Sequence, residues 1–550
     1  MRRLLPLLVL VAACGEPLTI PQVPKSAADP APAVVLRLTE AEYNRAVADL
    51  LQTDVAPWRF PPEFALDGFT GRFATQAPSD ALLEELRLAA VAASTAVPDS
   101  PAFACEDTDA DCLRSALLAF ADRAWRRPLD EAAAGRLGAL FDDLAAASDP
   151  LLAARLGVQA VLQSPRFLYR IELGVPTGDD GATVPLDPWE LAARLSFFLW
   201  DTVPDEPLRA LAADGSLTNP AVLETQARRM LDDVRARDAV VAFHREWLDV
   251  DGIDALVPDP DVHFPEADIE DAYIRAITNT RRVMKAEIDQ YVTHTLLVDP
   301  SAGSLGDLLT STTAWVGPQT AAGYGVDYDS DGIDLASVWV EGLAEEQIEL
   351  RPVRLPPEQR AGVLTLAGVM AARSHAVHPS PVHRGLLVLD RLLCDRPENP
   401  PAGAVSQAPP DDVDAESTNR ERLAAATSST DCVGCHASIN ALGFAFERYD
   451  AVGRWREDDF GLPLDTTGSL GTLAFDDAVD LSAELAALDP VHACYAERWL
   501  THALGRAPVA ADGPDALVDG FLVDGGDVRG LLVAIVMSEA FRGRSAEGAP

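Results

Sequence analysis

The chain has 550 residues, enough for a large core and, at about 150 residues per domain, for three or four domains. Acids outnumber bases by 86 to 44, and the formal net charge of −42 excludes nucleic acid as the main partner and excludes binding to an anionic membrane through a basic surface. With 48% apolar and 24% charged residues the chain reads as globular, and seven cysteines are too few for a disulfide-built scaffold.

The chain begins MRRLLPLLVLVAACG. Two arginines precede an apolar run from Leu4 to Ala13, too short to cross a bilayer as a mature helix and shaped like a signal peptide. Its end, Val11-Ala12-Ala13-Cys14, resembles the bacterial lipobox, in which the cysteine is lipidated and becomes the first mature residue. The alternative is an ordinary signal with a chance cysteine. Residues 1–14 are assigned as a lipoprotein signal peptide, and the Pro- and Ala-rich residues 15–34 as a tether. No later apolar run approaches the ~18 residues of a spanning helix, so the expected membrane contact is the lipid on Cys14 alone. Lipidation implies export to the bacterial cell envelope, periplasmic or outer-membrane associated, and an oxidising compartment.

Beyond the tether, helical signals dominate the chain. In an N-terminal domain, 35–100, Thr39-Glu40-Ala41-Glu42 has the form of a capping box, and Tyr43, Val47, Leu50 and Leu51 fall on one face behind it. A second module, 105–180, carries Arg126-Arg127-Pro128-Leu129 and opens on Cys105 and Cys112, which flank a short acidic loop. A central domain, 185–320, starts at Asp187-Pro188-Trp189-Glu190 with Pro at the first helical position, and Leu191, Leu195, Phe198 and Leu199 repeat the helical spacing. Residues 221–250 form one further long pattern, with Met230, Phe243 and Trp247 apolar. In an acidic region, 321–350, Asp327, Asp329 and Asp331 precede Gly332 in the order that opens a calcium loop. The twelfth position is Val338, where an EF-hand has Glu, so a solvated acidic loop stands beside the calcium reading.

The sharpest chemistry lies in a domain spanning 355–460, at Cys432-Val433-Gly434-Cys435-His436, the attachment pattern of c-type haem. Two thiols three positions apart can reach two vinyl groups of one porphyrin, and the adjacent histidine can then ligate the iron. A redox disulfide, half a zinc site and an ordinary disulfide compete. No βαβ pattern surrounds the motif and no second Cys/His pair has zinc spacing, while export favours haem. A proline-rich linker, 395–415, precedes the motif. The sixth ligand is open: Met230, Met284, Met370 and Met537 are all far in sequence, and His375, His378, His383, His492 and His502 are candidates beside an exogenous ligand. The last domain, 470–545, echoes the second. Cys112 to Leu129 resembles Cys494 to Val509, and each run is followed by a Ser-x-x-Phe-x-x-Arg ending, at Ser164 and at Ser538. A duplicated helical module competes here with chance likeness between Ala-rich helices.

These residues resemble a family, the haem-motif proteins of planctomycete-type bacteria assembled from several domains of unknown function. The run after His436 carries Gly443-Phe444, Glu447, Asp450, Gly453 and Arg454, and Ser380-Pro381-Val382-His383-Arg384-Gly385 resembles the family's upstream block. Leu38 to Asn44, Arg126 to Leu129, Leu195 to Trp200 and Ala503 to Arg506 resemble its other domains. His502 departs from it, since similar proteins tend to carry an aromatic there. The resemblance implies export, covalent haem and a helical body, and no defined reaction. Read physically, Arg454 is a candidate fork for a haem propionate, with surface ion pairing as the alternative.

Setting aside Cys14, Cys432 and Cys435 leaves Cys105, Cys112, Cys394 and Cys494, an even remainder that fits two disulfides in an exported chain. The expected architecture is mainly α, a multidomain helical body with a c-type-cytochrome-like haem segment in its C-terminal third. The expected function is electron transfer by an exported c-type haem lipoprotein. The alternatives are a peroxidase-like haem oxidoreductase with an open distal site and a cell-surface binding or assembly protein with auxiliary haem. The expected partner is a redox protein, and the −42 charge favours a basic one.

Overall fold

The first helix begins where its cap residues demand. Thr39 N–H donates to Glu42 Oε2 at 2.8 Å while the Thr39 hydroxyl accepts from Glu42 N–H, a complete capping box opening Glu40–Leu51. Asp187 and Glu190 do the same for Pro188–Trp200. The computed structural model describes residues 34–545 apart from 64, 67, 73–75, 176–182, 265–269, 343–345, 399–415 and 431. The signal peptide, Cys14, nearly all of the tether and most of the linker lie outside the described residues.

The chain is mainly helical. Helices Glu40–Leu51, Asp80–Ser94, Ala110–Ala124, Glu131–Ala147 and Pro150–Leu162 enclose an N-terminal core that includes Leu50, Leu117, Phe120, Val158 and Leu162. A disulfide joins Cys105 to Cys112 at the entry to Ala110–Ala124. Strand Val34–Arg37 pairs antiparallel with Tyr169–Glu172, so both ends of this unit meet. A second, larger core begins with Pro188–Trp200, buried on every side from Glu190 to Trp200. The pattern over 221–250 divides into Pro220–Leu231 and Arg235–Trp247. Between them the Asp233 carboxylate accepts from Arg235 N–H at 3.0 Å, a local bond that competes with the helical ladder. Met230, Phe243 and Trp247 are fully buried.

Residues 321–350, expected as an acidic loop, contribute to a small sheet. Strand Gln347–Arg354 runs antiparallel between Thr313–Val316 and Val338–Glu341 and packs on helix Glu270–Thr293 through Val283, Trp315, Ile348 and Leu350.

The two echoing segments have the same order of elements. In 112–170, helices Ala110–Ala124, Glu131–Ala147 and Pro150–Leu162 lead to a short helix capped by Ser164 and then to strand Tyr169–Glu172. In 494–544, helices Asp489–Leu504, Pro514–Val523 and Val528–Met537 lead to a short helix capped by Ser538 and then to strand Gly543–Ser545. The first helix of each set ends in a left-handed residue, Arg126 at φ 61° and Gly505 at φ 65°. An arginine grips the corresponding carbonyls in each. Arg126 donates to Arg166, Phe167 and Tyr169, and Arg194 donates to Ala540, Phe541 and Gly543. Arg194 also pairs with buried Glu172, tying the end of the chain to the N-terminal half.

The haem-motif domain is fixed by one helix crossing. Helices Pro381–Leu387 and Val433–Phe444 touch backbone to backbone, since a Cβ at Gly385 would lie 2.0 Å from Ile439 O and one at Gly443 2.0 Å from Pro381 O. A second disulfide, Cys394–Cys494, joins the segment after this crossing to the C-terminal helix Asp489–Leu504.

Candidate functional site

Helix Asn419–Ala426, opened by a Thr418/Glu421 capping box, leads through Thr427 to Cys432 at the start of Val433–Phe444. One helical turn places Cys432, Cys435 and His436 on neighbouring positions of one face. Cys432 is half-buried, Cys435 is exposed, and neither is in a disulfide.

The His436 ring is held by a chain of assigned donors. The Thr427 hydroxyl donates to Leu423 O at 2.8 Å, so its oxygen accepts from Asn440 Nδ2 at 2.8 Å. That turns Asn440 Oδ1 toward His436 Nδ1 at 3.1 Å, which must carry the proton. Nε2 is left with its lone pair. His436 and Asn440 line a pocket of about 930 Å³, whose other walls include Arg420, Thr427, Phe444, Thr467, Ser469, Phe475 and Asp476. The hairpin Gly468–Leu470 and Leu473–Phe475 closes one side, and Gly468 fits there because a Cβ would lie 2.5 Å from both Ala441 O and the Phe475 ring.

These residues fit a covalent c-type haem. Two free thiols precede an imidazole whose Nδ1 is held by Asn440, and that imidazole lines a cavity walled by apolar and polar groups in about equal number, while neither thiol is on its wall. Arg420 is the guanidinium on the wall. It lies 4.5 Å over the Phe444 ring, donates to Asp465 O and Thr467 O, and pairs with Asp465 at 3.3 Å.

Arg454, the candidate fork for a propionate, does not line this pocket. It donates to His263 O at 2.9 Å, lies over the Phe264 ring, and packs its stem against Gly323. The motif run around it is scaffold. Asp450 accepts from Arg454 N–H at 2.8 Å to close the turn, and buried Glu447 is bonded by Arg456 and by Asn419 Nδ2 at 3.0 Å. Burial pushes the Glu447 carboxyl up, against the pull of Arg456 and Arg384. Arg384, fully buried, donates to Phe446 O, Tyr449 O and Asp450 O at 2.7–2.9 Å and fixes the far end of the haem-motif helix.

None of the other candidate ligands lines the pocket. Met230, Met284 and Met370 are buried in the main core, and Met537 packs against it. His492 sits with Leu488 O and Phe521, His378 with Phe460, and His375 with His383 at 5.9 Å between rings. His502 lies among Phe69, Phe243 and Trp499. It faces a small cavity of about 70 Å³ where Asp201 and Glu246 also meet, at the junction of the N-terminal, central and C-terminal units. Burial pushes both carboxyls up to about 7 and His502 down to about 4.

The acidic loop uses its own carboxylates. Asp331 accepts from Asp327 N–H at 2.8 Å, Asp327 from Asp329 N–H at 2.9 Å, and Asp329 faces Arg351 at 3.3 Å. Among the described residues no group of three or more His, Cys, Asp or Glu side chains could hold a metal ion as they are placed. Among the described residues no helix is long and apolar enough to cross a membrane.

Sequence reasoning missed Asn440, Thr427 and Arg420. Asn440 stands four residues after His436, so helical spacing alone was a usable signal for it. Thr427 and Arg420 had none, because a preceding helix folds them back.

Comparison with known proteins places five family models along the chain, each described as a protein of unknown function. They are DUF1587 over residues 37–98, DUF1595 over 112–172, DUF1592 over 186–326, DUF1588 over 360–459 and DUF1585 over 473–541. The candidate site falls within the fourth match. No curated protein and no solved structure matches the chain.

Proposed function

From a chain that carries five domains of unknown function of the planctomycete-type, cytochrome-c-like kind, we propose that it is an exported c-type haem lipoprotein working in electron transfer. The observation that carries the reading is the fixed imidazole. Thr427 and Asn440 engage His436 Nδ1 and leave Nε2 for a metal, on the wall of a pocket of about 930 Å³, one residue from Cys435 and four from Cys432. Cys432 and Cys435 would hold the group by thioethers and His436 would ligate the iron. Bound there, the haem would supply a one-electron couple. The chain's own part is to orient the ligand nitrogen, to hold its other nitrogen's proton on Asn440, and to set Arg420 at the rim as a partner for a propionate.

A second reading is a peroxidase-like haem oxidoreductase with an open sixth position. It is favoured by the pocket wall, where, among the described residues, His436 is the one histidine and no methionine stands. The charge of −42 supports a basic redox partner steered by the field, and the lipobox at Cys14 supports lipid anchoring in the cell envelope.

The test is optical. Protein exported with its haem-attachment machinery is converted to the pyridine haemochrome, with Cys432→Ser and Cys435→Ser beside it. A thioether-type spectrum that weakens in both variants supports the proposal, and no haem in matured wild-type protein refutes it. A low-spin spectrum supports electron transfer, and a high-spin one supports the open-site reading. Anchoring is tested apart, by moving the protein from membrane to soluble fractions with Cys14→Ser.

A further inference from the structure

Helices Arg235–Trp247 and Asp489–Leu504 face each other across a cluster of aromatic side chains remote from the His436 pocket. At its centre are His244 and Tyr495, both with 0% exposure. His244 Nδ1 lies 2.7 Å from Val240 O. A carbonyl can only accept, so the imidazole proton is on Nδ1. Nε2 therefore presents a lone pair, and the Tyr495 hydroxyl donates to it at 2.9 Å. Phe243, Trp247, Trp499 and Phe521 surround the phenol with ring centroids 5.2–6.5 Å away. Trp499 also stacks on Phe243 at 3.5 Å and 13°.

A phenol that loses an electron becomes a strong acid, so its oxidation is reversible in a protein interior only where a base within hydrogen-bond reach takes the proton and keeps it. We propose that Tyr495 is a redox-active tyrosine whose phenolic proton is held by His244. In the forward step a strong one-electron oxidant, of the class of the carbonate radical, removes one electron from Tyr495. The O–H bond breaks, an N–H bond forms at His244 Nε2, and a neutral phenoxyl faces an imidazolium. In the return step a one-electron reductant of the thiol class restores the phenol and the proton moves back. The site is an interior sink for oxidising equivalents that reach the fold of an exported protein. Burial lowers the His244 pKa to about 4, which leaves the base neutral and ready at neutral pH.

Four other tyrosines among the described residues donate to different acceptors. Tyr291 donates to Leu308 O and Ser311 O, Tyr449 to Gln359 O and Tyr328 to Glu349 O, all carbonyls that cannot keep a proton. Tyr324 donates to Glu287 Oε2 at 3.1 Å, an acceptor that could take a proton, but there the Arg360 guanidinium lies 4.4 Å over the ring and opposes its oxidation.

This role goes beyond the haem reading, and its test does not use haem chemistry. Full-length protein with any haem held oxidised is illuminated with tris(bipyridyl)ruthenium(II) and a sacrificial cobalt(III) acceptor, then frozen for electron paramagnetic resonance. The expected result is a tyrosyl signal that falls at least fivefold in Tyr495→Phe, with the variant's melting profile confirming that it folds. Equal signals in wild type and Tyr495→Phe overturn the proposal. Should that variant not fold, wild-type protein in deuterated buffer decides. An exchangeable deuteron coupled to the radical supports the imidazolium partner, and no such coupling overturns it.

Discussion

Replacing Gly443 by alanine asks whether the haem-motif helix owes its depth to backbone contact. A Cβ at this position would stand 2.0 Å from Pro381 O, 2.6 Å from Pro381 C and 3.0 Å from Pro381 Cα. A carbon–oxygen contact relaxes only at about 3.3 Å, so the two helices must part by about 1.3 Å. The same displacement pulls on Arg384, whose bonds to Phe446 O, Tyr449 O and Asp450 O are 2.7–2.9 Å long. Stretched to about 4 Å they no longer count as hydrogen bonds. Overpacking alone costs about 1–3 kcal/mol, and each charged hydrogen bond lost adds about 1.5–3 kcal/mol. The lower limits for overpacking and for a single lost bond already sum to about 2.5 kcal/mol, so the expected destabilisation is at least about 2.5 kcal/mol. Gly434→Ala is the control on the same helix, because nothing lies within 4 Å of a Cβ there. It should gain about 0.5–1 kcal/mol from helix propensity. Denaturant unfolding of the two variants measures both quantities. A Gly443→Ala protein within ~0.5 kcal/mol of Gly434→Ala refutes the close-contact argument.

Three other outcomes are expected. Asp201, raised from 3.8 to about 7, binds a proton in the folded state that the unfolded chain releases, so its contribution to stability is complete below pH 4 and is lost as the pH rises toward 7. Asp201→Asn keeps the left-handed helix cap at φ 53° and should flatten the fall in melting temperature between pH 5 and 7, and an unchanged slope would count against the buried-carboxyl account. Arg194→Ala leaves Glu172 buried without its partner and frees three carbonyls, for a loss of about 3–5 kcal/mol, with hydrogen exchange accelerating first at Gly543–Ser545. Asn440→Leu removes the acceptor at His436 Nδ1. In haem-loaded protein it should raise the midpoint potential by roughly 30–60 mV, a tenfold change or less for one electron, and an unmoved potential would remove Asn440 from the ligand's support.

Much of the helical body was written locally. The Thr39 capping box and the helix start at Asp187 form as the sequence implies, because caps depend on residues three positions apart. The cysteine pairs needed only parity and compartment, and the structure joins Cys105 to Cys112 and Cys394 to Cys494. The sheet was missed although Gln347-Ile348-Glu349-Leu350-Arg351 alternates polar and apolar, because the run is short and ends at Pro352 and its partner Val338–Glu341 has only four residues. At the candidate site, the motif named its thiols and imidazole but not their supports. Arg454 looked suited to a propionate because a guanidinium suits any planar acceptor, and in the fold that acceptor is a main-chain carbonyl of His263. Arg420 and Thr427 are brought in by a helix whose packing nothing in their own neighbourhood announces.

The Cys394–Cys494 bond has a topological meaning as well. It closes a ring whose two cysteines are 100 positions apart, and the Cys-x-x-Cys-His segment lies inside that ring together with the proline-rich residues 399–415. One proteolytic cut anywhere within the ring leaves a single covalent molecule that runs intact on a non-reducing gel and splits only with thiol. The Cys-x-x-Cys-His segment would thus stay joined to the fold after a nick that frees the same segment from a linear chain. On the haem reading proposed above, the ring would also order assembly, since Cys432 and Cys435 would have to stay reduced for thioether formation while Cys394 and Cys494 oxidise around them.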